Sequence, residues 1–531
     1  MPLLWVCRNF RAIVYSHYST RCWLELCDES NEVKSFWNCW PECLQEIVYP
    51  AHDLARELYI NVEAWDVFNG KLTQALSHAP CNGCSFPRAR LVKLYFDSRE
   101  HHDISRRRLS TIRENISEFV DRLLQMAPSA CKIDLYGLHV SWHLPEPAKP
   151  YFAQLVLQLF QNYKRVSYSV YTSDKLTSCQ VNTIRDLVDL NYSINDDCSN
   201  CLQLVRQSES TLQSLVIYLS KVVDISPLIQ HADGSYAEYP CLHTLELRND
   251  PSLDFAYDIR PNKQRRTKRD IARLPVFHGA VPFPRLRHLR IQIDYPFGDE
   301  TLFRGSATTL EYLDLQPMHT LIDRIKKCKV FTPTSHPKLQ YVKINKIDNH
   351  KMPNFRTAEA YLRFALSIAP HAQVRKIEGL PFGDEFQSVP LLFDGYSDIR
   401  ILSLSGTCVR FWDVVALINS LPNLEYLVTD APTLGPMPKG VSFAKLPAYV
   451  LSKYAPMSER FRRWHSLGYR LYEESEVAKC VLLLALLCPN FDYIDPFYYE
   501  IPTFMQHMNR IAAMQGFKKH KQRLQRLLVK H

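Results

Sequence analysis

Two stretches, Phe283-Pro284-Arg285-Leu286-Arg287-His288-Leu289-Arg290-Ile291 and Leu310-Glu311-Tyr312-Leu313-Asp314-Leu315, carry one phrase twice: apolar-x-x-apolar-x-apolar. Alternate residues of a strand share a face, so the last two apolar positions of each phrase point into one core. The first apolar residue lies three positions earlier, in the turn, and closes that core from the side. A unit this short cannot bury its own apolar face and has to stack on a neighbour.

Outward from this pair the phrase recurs. It stands at Leu91-x-x-Leu94-x-Phe96, Leu212-x-x-Leu215-x-Ile217 and Leu242-x-x-Leu245-x-Leu247 on one side. On the other it stands at Leu339-x-x-Val342-x-Ile344, Ile399-x-x-Leu402-x-Leu404 and Leu424-x-x-Leu427-x-Thr429. Looser versions lie at Ala55–Ile60, Ala130–Leu135, Val374–Gly379 and Phe491–Pro496, and the interval from 91 to 212 holds a single loose unit. Helical spacing fills several gaps: Asp103–Met126, then Thr357–Ala369 before Pro370, and Val409–Leu421 before Pro422. Strand, helix, proline, strand is the commonest order, which predicts an α/β solenoid with a curved parallel sheet and helices on its outer face. An ordinary α/β domain whose buried strands happen to begin Leu-x-x-Leu is the alternative.

The phrase resembles that of the leucine-rich-repeat family, Leu-x-x-Leu-x-Leu-x-x-Asn, in an irregular form. The starts at 286 and 310 and those at 399 and 424 are spaced as in that family, whereas the starts at 242 and 286 are much farther apart. The family's asparagine position is degenerate here, being Asp250, Asp294, Ser220, Met318 or Thr407. At the amino terminus, Leu3-Leu4-Trp5-Val6-Cys7-Arg8-Asn9-Phe10-Arg11 resembles the second half of an F-box. A full F-box opens with Leu-Pro and an amphipathic helix, and the phrase here follows directly on Met1-Pro2. The two together resemble fungal F-box/leucine-rich-repeat-like proteins. That resemblance implies a substrate receptor of a cullin-type ubiquitin ligase, with Leu4, Trp5, Val6 and Phe10 contacting the adaptor subunit. The other reading of the same residues is a helix that caps the solenoid core. The expected organisation is a helical F-box-like remnant or cap over 1–50, an irregular leucine-rich-repeat-like solenoid over 51–500, and a basic amphipathic helix over 501–531.

Period-two alternation turns the residues between the inward positions outward. Lys93, Arg287, Arg290, Gln292, Glu311, Asp314, Lys343, Arg400 and Ser403 are therefore the expected partner-binding surface. Lys263, Arg265, Arg266, Lys268 and Arg269 form the densest basic run, which reads either as a solvated loop or as a nuclear-import or polyanion-contact segment. With the basic stretch 518–530 it supports a second reading, a nuclear or RNA-associated scaffold, tested by salt dependence of binding.

Composition narrows the classes. The 531 residues carry a net charge of +9, too mild to mark nucleic acid as the main partner though not to exclude it. Only 15 are glycine, under half the usual share, which argues against a phosphate-cradling enzyme. No P-loop, nucleophile-elbow, zincin or dinucleotide-binding motif occurs, so no catalytic residue and no cofactor is expected, and an unrecognised α/β enzyme is the remaining alternative. Cys81-x-x-Cys84, with His101 and His102, and Cys198-x-x-Cys201 have zinc-ligand bite, but chance pairs are expected among 16 cysteines, and no metal is assigned. The longest apolar run, Cys480–Cys488, is about half what a membrane span needs. A cytoplasmic or nuclear protein with reduced thiols is expected.

Overall fold

The computed structural model describes residues 21–27, 32–38, 55–78, 85–97, 111–137, 148–170, 183–194, 199–219, 225–231, 233–249, 276–277, 279–293, 301–315, 336–345, 362–363, 365–378, 393–405, 410–430, 433–454, 457, 459–467, 474–491, 493–495, 501–520 and 524. It divides into two compact units, Met1–Arg285 and Leu286–His531. Each unit is α/β, a curled, open, largely parallel sheet with helices in many of the connections between strands.

The first unit opens with an antiparallel hairpin, β1 (Arg21–Cys27) and β2 (Glu32–Asn38), and β1 then runs parallel to β3 (Glu57–Glu63). Strand structure therefore begins at residue 21, inside the segment expected to be helical. From β3 the strands add in chain order, all parallel: β4 (Leu91–Asp97), β5 (Lys132–Gly137), β6 (Arg165–Val170), β7 (Asp189–Ile194), β8 (Ser214–Leu219) and β9 (Thr244–Asn249). Helices α1 (Ala64–Phe68), α2 (Lys71–His78), α3 (Ile112–Met126), α4 (Lys149–Asn162) and α5 (Ser199–Gln207) fill the connections. The interval from 91 to 212 thus holds three further strands instead of one loose unit.

The second unit repeats the plan: β10 (His288–Ile291), β11 (Tyr312–Leu315), β12 (Tyr341–Ile344), β13 (Val374–Glu378), β14 (Ile401–Ser405), β15 (Tyr426–Asp430), β16 (Arg463–Leu467) and β17 (Tyr493–Asp495), all parallel. Its helices are α6 (Thr301–Gly305), α7 (Phe411–Ser420), α8 (Leu446–Tyr454), α9 (Glu474–Leu487), α10 (Ile501–Ala512) and α11 (Gln515–Lys518). The apolar run at 480–488 falls in α9 and the residue after it, buried along its length. Among the described residues no helix is long and apolar enough to cross a membrane. The carboxy-terminal region is two helices where one was expected. Both pack back: α10 lies against α9, while α11 brings Phe517 to within 5.6 Å of Phe443, ring centre to ring centre.

The quoted phrase explains the core. Leu286, Leu289, Ile291, Leu310, Leu313 and Leu315 are all fully buried. The residue after each turn leucine has a second task. The Arg287 carbonyl accepts the amides of Glu311 and Tyr312 (2.8 and 2.9 Å), the Glu311 carbonyl those of Gln340 and Tyr341, and the Arg400 carbonyl those of Glu425 and Tyr426. The same link seats each strand from β11 to β16, so the register of the outward residues is inherited from strand to strand. Two frames shift from the expected ones: in β13 the inward residues are Arg375 and Ile377, with Ala372 in the turn position, and Val374 faces outward. In β4 the inward residues are Val92, Leu94 and Phe96, with Ala89 in the turn position, and Leu91 faces outward.

Candidate binding faces on the strands

On the first unit, β3, β4 and β5 align Tyr59, Lys93 and Asp134 across the outward face. Tyr59 Oη donates to Glu57 Oε2 (2.7 Å), and Lys93 Nζ donates to Tyr59 Oη (3.0 Å) while lying 4.9 Å from the centre of the Tyr59 ring. Asp134 lies between two ammonium groups, Lys132 at 3.3 Å and Lys93 at 4.0 Å. Burial still pushes its carboxyl above the usual carboxylate range, because desolvation outweighs both cations. Two residues farther along the strands, Tyr95 and Tyr136 are register partners and stand 46% and 38% exposed. On β8 and β9, Arg248 pairs with Glu246 and donates from Nη1 to Tyr218 Oη (3.2 Å).

On the second unit the aligned strand-start positions are His288, Tyr312 and Tyr341. Their rings stack nearly parallel, His288 on Tyr312 at 3.9 Å and Tyr312 on Tyr341 at 4.1 Å. Beside this stack runs a charged row. Arg290 Nε lies 3.0 Å from Asp314 Oδ2 and its Nη2 donates to Tyr312 Oη (2.9 Å). Asp314 also accepts from Gln292 Nε2 (3.2 Å) and from the Asn345 amide. Lys343 pairs with Glu378 (2.7 Å), and Lys376 lies 5.6 Å from the centre of the Tyr341 ring. Burial raises the Asp314 carboxyl against the pull of Lys343 and Arg290, and it raises the Tyr341 phenol strongly, together with the hydrogen bond to Tyr312.

The residues expected at a partner surface divide three ways. Lys93, Arg290, Gln292 and Lys343 lie on the strand faces and are partly exposed. Arg287, Glu311 and Arg400 precede their strands and form an exposed rim, Arg287 and Glu311 lying 4.0 Å apart. Asp314 and Ser403 are on the face but buried, and Asp314 holds Arg290 and Gln292 in place. The tyrosines at 59, 95, 136, 218, 312 and 341, with Lys376 and Glu378, are missing from the expected set. The alternation that marks Arg290 as outward marks them equally, but an aromatic side chain reads as core until the strand frame is known.

Leu4, Trp5, Val6 and Phe10, the basic run 263–269, Cys81, Cys84, His101, His102 and Cys198 lie outside the described residues. Cys201 is fully buried. Among the described residues no cluster of histidine, cysteine and carboxylate side chains is placed to hold a metal ion. No protein-family model matches the chain, and no significant match to a curated protein is found.

Proposed function

We propose that this chain is a non-enzymatic recognition protein that binds another protein through its strand faces. The observation that carries the reading is the surface lattice of tyrosines and cations locked by ion pairs, with Lys93 between Tyr59 and Asp134 and Arg290 between Tyr312 and Asp314. Tyrosine and arginine supply most hot-spot energy in protein interfaces, and side chains already fixed before binding lose little entropy on contact. A partner meeting this face gains large amphipathic contact area from groups that need not reorganise.

Affinity capture from cells followed by mass spectrometry tests this, comparing wild type with Tyr95→Ala/Tyr136→Ala and with Arg290→Ala/Tyr341→Ala. Loss of a defined set of proteins from the variants is the expected result. Identical capture by folded variants overturns it. The finer role, substrate receptor of a cullin-type ligase, rests on the amino-terminal resemblance. It predicts that an adaptor and a cullin co-purify and that Trp5→Ala/Phe10→Ala removes them while the remaining partners stay bound.

A further inference from the structure

The strand-start positions of the second unit form one continuous row. Backbone register aligns Tyr312 with Tyr341, Tyr341 with Val374, Val374 with Ile401, and Ile401 with Tyr426. All five are partly exposed, so the row is an apolar strip on the open face of the sheet. At roughly 4.8 Å per strand it runs for about 19 Å, the length of some six residues of extended chain. On one side stand the rim cations Arg287, Lys338, Arg400 and Arg462, on the other the row that includes Arg290, Lys343 and Lys376. Arg287 is matched by Glu311, Arg290 by Asp314 and Lys343 by Glu378, which leaves Lys338, Arg400, Arg462 and Lys376 against the rim carboxylates Asp398 and Glu425 among the described residues.

We infer that this strip docks an extended acidic segment of a partner protein, its alternate apolar residues on Tyr312, Tyr341, Val374, Ile401 and Tyr426 and its carboxylates on the flanking cations. The inference rests on the recognition reading above and specifies the partner's chemistry. Two features favour a peptide over nucleic acid. Tyr312 is stacked on both faces, by His288 and by Tyr341, so a base cannot stack on it as single-stranded nucleic-acid binding demands. Glu378 also stands beside the cation row, paired with Lys343, where it repels a continuous phosphate backbone but leaves room for separated carboxylates.

The test uses the full chain and three fluorescent probes in an anisotropy titration: a nine-residue peptide alternating Glu with Leu and Phe, the same peptide with Lys in place of Glu, and oligo(U) RNA. The acidic peptide is expected to bind, at least tenfold more tightly than the basic one and than the RNA. Tyr341→Ala and Lys376→Glu/Arg400→Glu should each weaken it tenfold or more, and Lys518→Glu, remote in sequence and on α11, should not. Equal binding of both peptides, tighter RNA binding or indifference to the strip variants overturns the acidic-segment inference. If the acidic peptide fails while the strand-face variants still lose cellular partners, the recognition reading stands and only the partner chemistry falls.

Discussion

Asp314 decides how the second unit's face is held. Its carboxylate is fully buried and is the meeting point of Arg290, Gln292 and Asn345. Truncation leaves the Arg290 guanidinium without its counter-charge, so Asp314→Ala should cost about 2–4 kcal/mol, read as a lower urea midpoint. The folded state raises this carboxyl above its ordinary value of 3.8 and so holds the proton more tightly than the unfolded chain does. Its contribution to stability is therefore greatest below that value and declines as pH rises through the raised pKa. The stability of wild type minus that of Asp314→Asn should fall over this window and then level off. A difference that grows with pH would refute the burial argument. Arg375 is the opposite kind of residue, a cation standing where its register neighbours are Val342 and Leu402. It is fully buried, desolvation lowers its guanidinium to about 10, and it donates to the carbonyls of Ala365 (3.0 Å), Ile368 (3.1 Å) and Ala369. The Ala369 carbonyl also accepts the Ala372 amide (2.9 Å). Arg375→Leu restores the apolar consensus, yet it should destabilise by about 3 kcal/mol, because the carbonyls of Ala365, Ile368 and Ala369 lose a buried, charged donor at once. A neutral or stabilising outcome in urea would show that the carbonyls are readily re-satisfied.

At the scale of the element, the carboxy-terminal helix α11 depends on one glycine. A Cβ on Gly516 would stand 2.1 Å from the Ala444 carbonyl oxygen, a distance that backbone cannot yield without the helix lifting away. Gly516→Ala should undock α11 and expose Phe517, a local loss of about 2 kcal/mol. Hydrogen exchange should then quicken over 515–520 while β10 to β15 keep their protection. Unchanged exchange at 515–520 would show that the close approach is not needed. Element by element, most of the strands that the sequence discloses carry leucine, isoleucine or valine at the phrase positions, with Phe96 and Thr429 the departures the pattern still admits. β6 and β7 obey the same rule as Tyr163-x-x-Val166-x-Tyr168 and Leu187-x-x-Leu190-x-Tyr192, with inward tyrosines that the apolar pattern does not count. β16 hides behind Trp464, and β13 shows only in a shifted frame because Arg375 takes its inward position. Thr429, polar at an inward position, is resolved only by its neighbour, since Trp464 Nε1 donates to its hydroxyl (3.1 Å). The site was legible to the same depth. Period two turns Arg290 and Lys343 outward, but the ring stack and the burial of Asp314 need cross-strand register, which no single phrase contains.

At the scale of the whole molecule, each unit is a chain of nearest neighbours. In the second unit every strand from β11 to β16 touches one strand on each side, and each is seated by the carbonyl of the residue after the preceding turn leucine, or its equivalent. Stability in such an array is close to a sum of unit and interface terms, so a defect should be felt by its neighbours and fade along the strand order. Leu313 is fully buried at the centre of β11. Leu313→Ala should cost about 2–5 kcal/mol through lost transfer energy and the cavity left behind. Native-state hydrogen exchange should then speed up most at β10, β11 and β12, less at β13 and β14, and least at β16 and β17. A uniform loss of protection from β10 to β17 would mean that the unit opens as one cooperative body, and that the binding strip between Tyr312 and Tyr426 is rigid along its whole length. A graded loss would mean that the strip can loosen at one end while holding at the other. An extended partner would then bind the stiff strands first and order the rest as it settles, which makes its affinity sensitive to mutations that never touch it.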